Sequence, residues 1–150
     1  MRRMTLIFLL LLLVTGGFAA YVRLSANPAG RWHQDPLAVT ARGAQNSYLL
    51  APGGDGAPAH LPLPPDEVAR RLDAVTAATP RTELLAEGGF GKTWVTRSRL
   101  WGFPDFTSVR LIAGAEGGTD LLIFARSRFG KSDLGVNRAR VEDWLARLAR

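Results

Sequence analysis

The strongest feature of the hydrophobic pattern is an uninterrupted apolar run near the start of the chain. Residues Thr5 to Val22 carry no charge, and the centre of the run, from Leu6 to Val14, consists of Leu, Ile, Phe and Val. As a helix this run would extend about 27 Å, which is just enough to cross a thin hydrocarbon core. The run is apolar on every side, which argues against a buried core helix with a polar outer face. The pattern predicts either a membrane-spanning helix or a signal peptide.

Charges and length favour the membrane-spanning interpretation. Arg2 and Arg3 precede the run, which predicts a cytoplasmic N-terminus and an exported remainder. The run is longer than the usual signal-peptide core of about 7–15 residues, which favours an uncleaved anchor. Two mediocre cleavage sites, Gly17-Phe18-Ala19 and Leu24-Ser25-Ala26, keep cleavage open as the alternative. We therefore divide the chain into an anchor or signal peptide (1–23), a juxtamembrane connector (24–43) and an exported domain (44–150).

The pattern of the exported part indicates two amphipathic helices and a set of strands. Val68, Leu72 and Val75 form one apolar stripe, which predicts a helix that starts at Pro64-Pro65 and stops before Pro80. A second stripe, which includes Val141 and Trp144, predicts a helix from about Asn137 to Ala149. Runs rich in β-forming residues predict strands between Gly- and Pro-rich loops. The predicted strands are Asn46–Leu50, Thr82–Ala86, Thr93–Arg99, Ser108–Ala113 and Asp120–Arg128, and the predicted loops include 51–65 and 101–105.

The order of these elements predicts the fold class. A strand, a helix, a meander of strands and a final helix are typical of an α+β domain. We expect an antiparallel sheet of about four to five strands with two helices packed on one face. One N-terminal transmembrane or signal helix precedes this domain.

Composition excludes several classes of protein. The net charge is +6, but Arg2, Arg3 and Arg23 flank the apolar run, so the exported part is only weakly basic. A nucleic-acid partner would need a stronger basic surface and a recognisable motif, so we expect none. The chain has no cysteine, which excludes disulfides, thiolate metal ligands and a catalytic thiol.

Motifs for cofactors and catalysis are incomplete. Gly91-Lys92-Thr93 and Gly130-Lys131-Ser132 resemble phosphate loops, but Ala86 and Ala125 occupy the positions of the required first glycine. The two histidines, His33 and His60, lie in separate segments without a ligand partner at helical spacing. We therefore expect no metal and no cofactor, and the pattern assigns no catalytic residue.

One segment near the C-terminus has the composition of an anion-binding site. It leads from the last strand through a glycine-containing loop to the start of the last helix, where free backbone N–H groups and arginines favour phosphate or carboxylate. The candidate anion-binding residues are Arg126, Arg128, Lys131, Ser132, Asn137 and Arg138. The structural alternative is helix capping and ion pairing by Asp133, Asn137 and Asp105.

The same segment carries a resemblance to a known family. Ser127 to Arg140, with Trp101-Gly102-Phe103-Pro104-Asp105 upstream, resembles the motif of domain-of-unknown-function family 1499 (DUF1499). The resemblance extends over about Ala44 to Leu148 and implies bacterial and plastid-type relatives that are often exported or membrane-tethered. It implies no activity. Some members have a cysteine after an asparagine near the domain start, whereas Asn46 is followed here by Ser47, so a role for that thiol does not transfer.

Three functions are consistent with these observations. The leading hypothesis is an envelope protein anchored in the bacterial inner membrane by a single pass, with a periplasmic binding or scaffold domain and an anionic ligand or protein partner. Signal cleavage would instead release the domain into the periplasm. The second hypothesis is a hydrolase-like enzyme that uses Asp133 or Asp105 with Arg128. The third is a small accessory subunit of a membrane complex, with Trp32, Trp101 and Phe103 as an exposed docking patch.

Overall fold

A computed structural model describes residues 2–40 and 44–150. Four α-helices, one 3-10 helix and six strands follow one another along these residues. The helices are α1 (Arg2–Leu24), α2 (Ala29–Trp32), α3 (Pro65–Ala77) and α4 (Val136–Leu148), with the 3-10 helix at Pro36–Ala38. The strands are β1 (Ser47–Leu50), β2 (Ala59–Leu61), β3 (Thr82–Gly88), β4 (Gly91–Arg97), β5 (Pro104–Ala113) and β6 (Thr119–Ser127).

The six strands form one antiparallel sheet in the order β1-β6-β5-β4-β3. Strand β2 pairs with the first residues of β6, beside the section that pairs with β1. Strand β3 is an edge strand and its register shifts between Leu84 and Ala86, a bulge of the kind that disfavours pairing with another chain. The α+β fold with an antiparallel sheet is confirmed.

Helices α3 and α4 cover one face of the sheet, which we call the helix face. Val68, Leu72 and Val75 of α3 and Val141, Trp144 and Leu148 of α4 are buried there. They pack on Leu121, Ile123 and Ala125, which are alternate residues of β6. Trp144 meets Trp94 edge to face at a centroid distance of 5.9 Å. The packing of both predicted helices on one face is confirmed.

The opposite face of the sheet is also covered, and the chain that covers it comes from the predicted connector. We call residues 25–39 the strap and this side of the sheet the strap face. Trp32 stacks on Phe106 of β5 at 4.1 Å between ring centroids, and Val39 packs against a cluster of Leu49, Leu122 and Phe124. An ion pair between Asp35 and Arg110 fastens the strap further along. The strap is thus part of the folded domain.

Smaller differences from the expected elements have local causes. Strand β2 lies within the loop predicted for residues 51–65. The sequence did not predict this strand, because three residues are too few to show an alternating pattern. Strand β5 begins at Pro104, inside the predicted turn; a proline is tolerated as the first residue of a strand because no ladder hydrogen bond is lost there.

Helix α1 extends away from the sheet for most of its length. It is long and apolar enough to cross a membrane, and a signal sequence would meet the same criterion. Its side chains are exposed up to Phe18, whereas Val22 is fully buried against the domain.

Candidate functional site

The loop between β6 and α4 satisfies its own backbone. Asp133 accepts hydrogen bonds from the backbone nitrogens of Gly135 and Asn137, at 3.0 and 2.9 Å. Ser132 Oγ accepts one from Leu134 N at 3.2 Å. Gly135, the residue before α4, has a φ of +81°, which favours glycine. Several of the N–H groups that would attract an anion are therefore already occupied.

Below this loop lies a closed polar network that joins α4 to the sheet. Asn137 is buried; its Nδ2 donates to Ser127 Oγ at 3.0 Å and to the carbonyl oxygen of Asn46 at 3.3 Å. Arg140 donates to Asn137 Oδ1 at 2.9 Å and to Asp105 Oδ2 at 2.7 Å. The side chains of Arg140 and Asp105 are each only 10% exposed. The network fixes α4 on β5 and β6.

Arg126 and Arg128 point away from this network, towards the strap. Arg126 is 7% exposed; its guanidinium donates to the carbonyl oxygen of Trp32 and lies 4.4 Å from the ring centroid of Phe124. Burial lowers the pKa of Arg126 to about 10. Arg128 donates to the carbonyl oxygen of Ala26 at 2.8 Å and to Asn27 Oδ1 at 2.6 Å. Both arginines hold the strap on the sheet.

The other two predicted cations remain at the surface. Arg138 pairs with Glu142 at 2.8 Å, and this hydrogen bond raises the pKa of Arg138. Its guanidinium also lies 5.6 Å from the ring centroid of Tyr48. Lys131 is exposed and forms no ion pair with the residues that the structure describes.

The six candidate anion-binding residues are therefore not brought together. Arg126 and Arg128 do share a face, as strand alternation requires, but it is the strap face, whereas α4 lies on the helix face. Asn137 is enclosed in the polar network, and Ser132 serves the loop backbone. Lys131 and Arg138 are left as exposed cations near the start of α4, and anion binding by them stays a prediction.

The same contacts bear on the two aspartates of the hydrolase hypothesis. Asp105 is paired with Arg140, Asp133 caps α4, and Arg128 lies on the strap. The hydrolase hypothesis needs an aspartate beside an arginine that has no other partner. Asp105, Asp133 and Arg128 do not form such a pair. Within residues 2–40 and 44–150, no three His, Asp or Glu side chains are grouped as metal ligands.

A groove separates the β4–β5 loop from the β6–α4 loop. Its volume is about 280 Å³. The groove is lined by four apolar side chains, those of Phe103, Phe129, Leu134 and Val136. The polar residues that line it are Ser98, Ser127, Ser132, Asp105 and Asp133. Leu134 is 93% exposed and adopts a φ of +54°, a conformation that is unfavourable for a branched side chain.

The end of α1 packs against these same two loops. Phe18 lies 6.2 Å from Trp101 and 6.1 Å from Phe103, and Tyr21 lies 6.3 Å from Phe129, between ring centroids. We call these five rings the aromatic junction. Arg23 adds a hydrogen bond of 2.7 Å to the carbonyl oxygen of Leu100. Trp101 and Phe103 thus face α1, and Trp32 of the strap is buried against Phe106, so these three rings do not form a shared exposed patch.

The family model described as "Protein of unknown function (DUF1499)" matches residues 33–148. The chain belongs to this family. No curated protein and no solved structure matches it.

The extent of the DUF1499 match agrees with the packing. The match begins at His33, eleven residues before the start suggested by the motif alone, and so includes much of the strap. The residues that carried the resemblance, among them Asp105, Asp133, Gly135 and Asn137, are those that build the cap and the polar network. The DUF1499 motif in this chain therefore has a structural explanation.

Sequence reasoning missed the aromatic junction. Phe18 is one apolar residue among many in the N-terminal run, and no pattern marks it as the residue that meets Trp101 and Phe103. A weak signal was present for the strap: residues 121–125 of β6 are all apolar, which is typical of a strand covered on both faces.

Proposed function

We propose that this chain is a membrane-anchored binding module of the bacterial envelope, with its domain on the periplasmic side of the inner membrane. The observation that carries the proposal is the aromatic junction, which attaches the end of an apolar helix directly to two loops of the domain. A signal peptide is discarded after export and needs no such packing. The junction therefore favours a helix that stays attached as an anchor.

The binding role is supported by what lies beside the junction. The groove opens between the β4–β5 and β6–α4 loops, and two exposed cations, Arg99 and Lys131, belong to these loops. Neither forms an ion pair with any residue in 2–40 or 44–150. We propose an anionic ligand at this end of the domain.

Fractionation of an epitope-tagged protein tests whether α1 remains attached as a membrane anchor. The full chain, with one epitope at each end, is expressed in a bacterial host, and membranes are washed with alkaline carbonate. Both epitopes should remain in one membrane-bound polypeptide, and protease added to spheroplasts should remove only the C-terminal epitope. A soluble product without the N-terminal epitope would contradict the anchor.

A charge in the middle of α1 should disrupt the anchor, and the same substitution in the strap is the matched control. Leu10→Arg places a guanidinium at the centre of the run, which costs about 2.5–3.5 kcal/mol for insertion. This variant should be partly lost from the carbonate-washed membrane. Leu37→Arg, an exposed leucine of the strap, should leave the fractionation unchanged.

A further inference from the structure

We infer that the β4–β5 loop (98–103) and the β6–α4 loop (128–135) form a lipid-binding surface that enters the interface of the same membrane, with Leu100 and Leu134 among the acyl chains and Arg99 and Lys131 at the phosphates. The occupant is a bilayer that contains anionic phospholipid. The inference deepens the proposed function, because it names the ligand of that end of the domain, and it depends on anchoring by α1.

The depth of the loops follows from their contacts with α1. The charge-free run of 18 residues spans about 27 Å, slightly less than a hydrocarbon core of about 30 Å. The whole run, including its last turn, is therefore needed to cross the core. Phe18 lies four residues before the end of that run, about 6 Å deeper along the axis. Trp101 and Phe103 are in ring contact with Phe18. Both rings therefore lie at the level where tryptophan and other aromatics line a membrane interface.

Each loop presents an exposed leucine on the same end of the domain. Leu100 is 74% exposed and precedes Trp101, while Leu134 is 93% exposed and lines the groove with Phe103 and Phe129. Large apolar side chains that are this exposed, on loops attached to a membrane helix, indicate contact with lipid rather than with water.

The charges of the two loops complement phosphate. Arg99 directly precedes Leu100, and Lys131 lies three residues before Leu134, so each apolar tip has a cation beside it. Arg23, at the end of α1, adds a third. The one carboxylate within the β6–α4 loop, Asp133, is occupied by backbone N–H groups. Cations of this kind gain attraction at an anionic membrane surface.

Single nitroxide labels test the inference, since the chain has no native cysteine to interfere. Leu100→Cys and Leu134→Cys are labelled in the full chain, reconstituted in vesicles of phosphatidylcholine with phosphatidylglycerol. Ala115→Cys is the control, because it is exposed in the β5–β6 turn at the far end of β5. Accessibility to oxygen, which concentrates in lipid, is compared with accessibility to a water-soluble nickel chelate.

The inferred surface requires a severalfold higher oxygen-to-nickel ratio at positions 100 and 134 than at 115. Ratios equal to that at 115 would mean that the loops lie in water. Low accessibility to both reagents would mean a protein partner or a second copy on this surface. Either of these outcomes overturns the inference. Flotation of the same vesicles reports anchoring separately, so loss of the anchor and failure of loop insertion are distinguished.

Two further measurements test the same surface, the first of them without a label. Lipids brominated on the acyl chains should quench Trp101, and the quenching should disappear in Trp101→Phe, because Trp32, Trp94 and Trp144 are buried. With Arg99→Gln and Lys131→Gln combined, the oxygen-to-nickel ratio at position 134 should no longer rise when phosphatidylglycerol is added. Unchanged quenching in Trp101→Phe, or an unchanged response to phosphatidylglycerol, would contradict the assigned geometry.

Discussion

The buried pair of Asp105 and Arg140 gives the sharpest test of how α4 is held on the sheet. Asp105→Asn keeps the shape of the side chain but leaves the guanidinium of Arg140 without a counter-charge. Breaking a buried ion pair in this way costs about 3–5 kcal/mol. Arg140 keeps its hydrogen bond to Asn137, so we expect a loss near the lower end, about 3 kcal/mol. Because a domain is stable by only about 5–15 kcal/mol, this is a large fraction of the total.

The assay is urea unfolding of the full chain in detergent micelles, followed by the fluorescence of Trp144 and Trp94 in the helix-face core. The double variant Asp105→Leu with Arg140→Met replaces both charges and should recover part of the loss, since no buried charge is left unpaired, although Asn137 Oδ1 loses its donor. Glu142→Gln is the matched control: it removes an exposed pair on the same helix and should change the urea midpoint only slightly. If Asp105→Asn costs no more than this control, the buried pair does not hold α4.

Three other predictions follow from the strap and the loops. Burial holds the pKa of Arg126 at about 10, well below the usual value of an arginine, so the charged form is disfavoured by about 3 kcal/mol. Arg126→Met should cost under about 1 kcal/mol, and Arg126→Ala about 2–4 kcal/mol. The unfolded chain keeps this proton above pH 10, whereas the folded chain loses it there, so the free energy of unfolding should rise as the pH increases above 10 in wild type but not in Arg126→Met, as urea titrations can measure. Trp32→Ala should cost about 3–5 kcal/mol and speed tryptic cleavage after Arg31, which is exposed but lies in a folded segment; unchanged digestion would contradict packing of the strap. Leu134→Gly should stabilise the fold by about 1–2 kcal/mol by removing left-handed strain while lowering quenching of Trp101 by brominated lipid; a destabilised variant would refute the strain.

The sequence predicted helices and strands correctly where one hydrophobic period, helical or alternating, extended over the whole element. The stripes at 68–75 and 141–148 predicted α3 and α4 within a few residues, and alternation predicted most strands. The strap could not be predicted in the same way, because its contacts are single side chains, such as Trp32 on Phe106, separated by turns. Only the unbroken apolar run of β6 indicated that the second face needed a cover.

The sequence could not predict how the candidate anion-binding residues are distributed over the two faces of the sheet. Alternation correctly put Arg126 and Arg128 on one side of β6, but local sequence does not say which side α4 will cover. The arginine that does meet the polar network is Arg140, which is not among the candidate anion-binding residues. Its partner Asp105 lies 35 residues away, and a pairing over that distance is set by tertiary packing.

The strap also limits how far the domain can move relative to α1. A flexible linker of about 20 residues would have let the module sweep through roughly 25 Å above the bilayer. Instead the chain turns back at Ser25 and lies across the sheet, with Arg126 and Arg128 holding it there. In a membrane, a tilt of α1, such as a thicker or thinner bilayer produces, must therefore tilt the sheet as well. The strap and the aromatic junction therefore couple the direction of α1 to the orientation of the sheet.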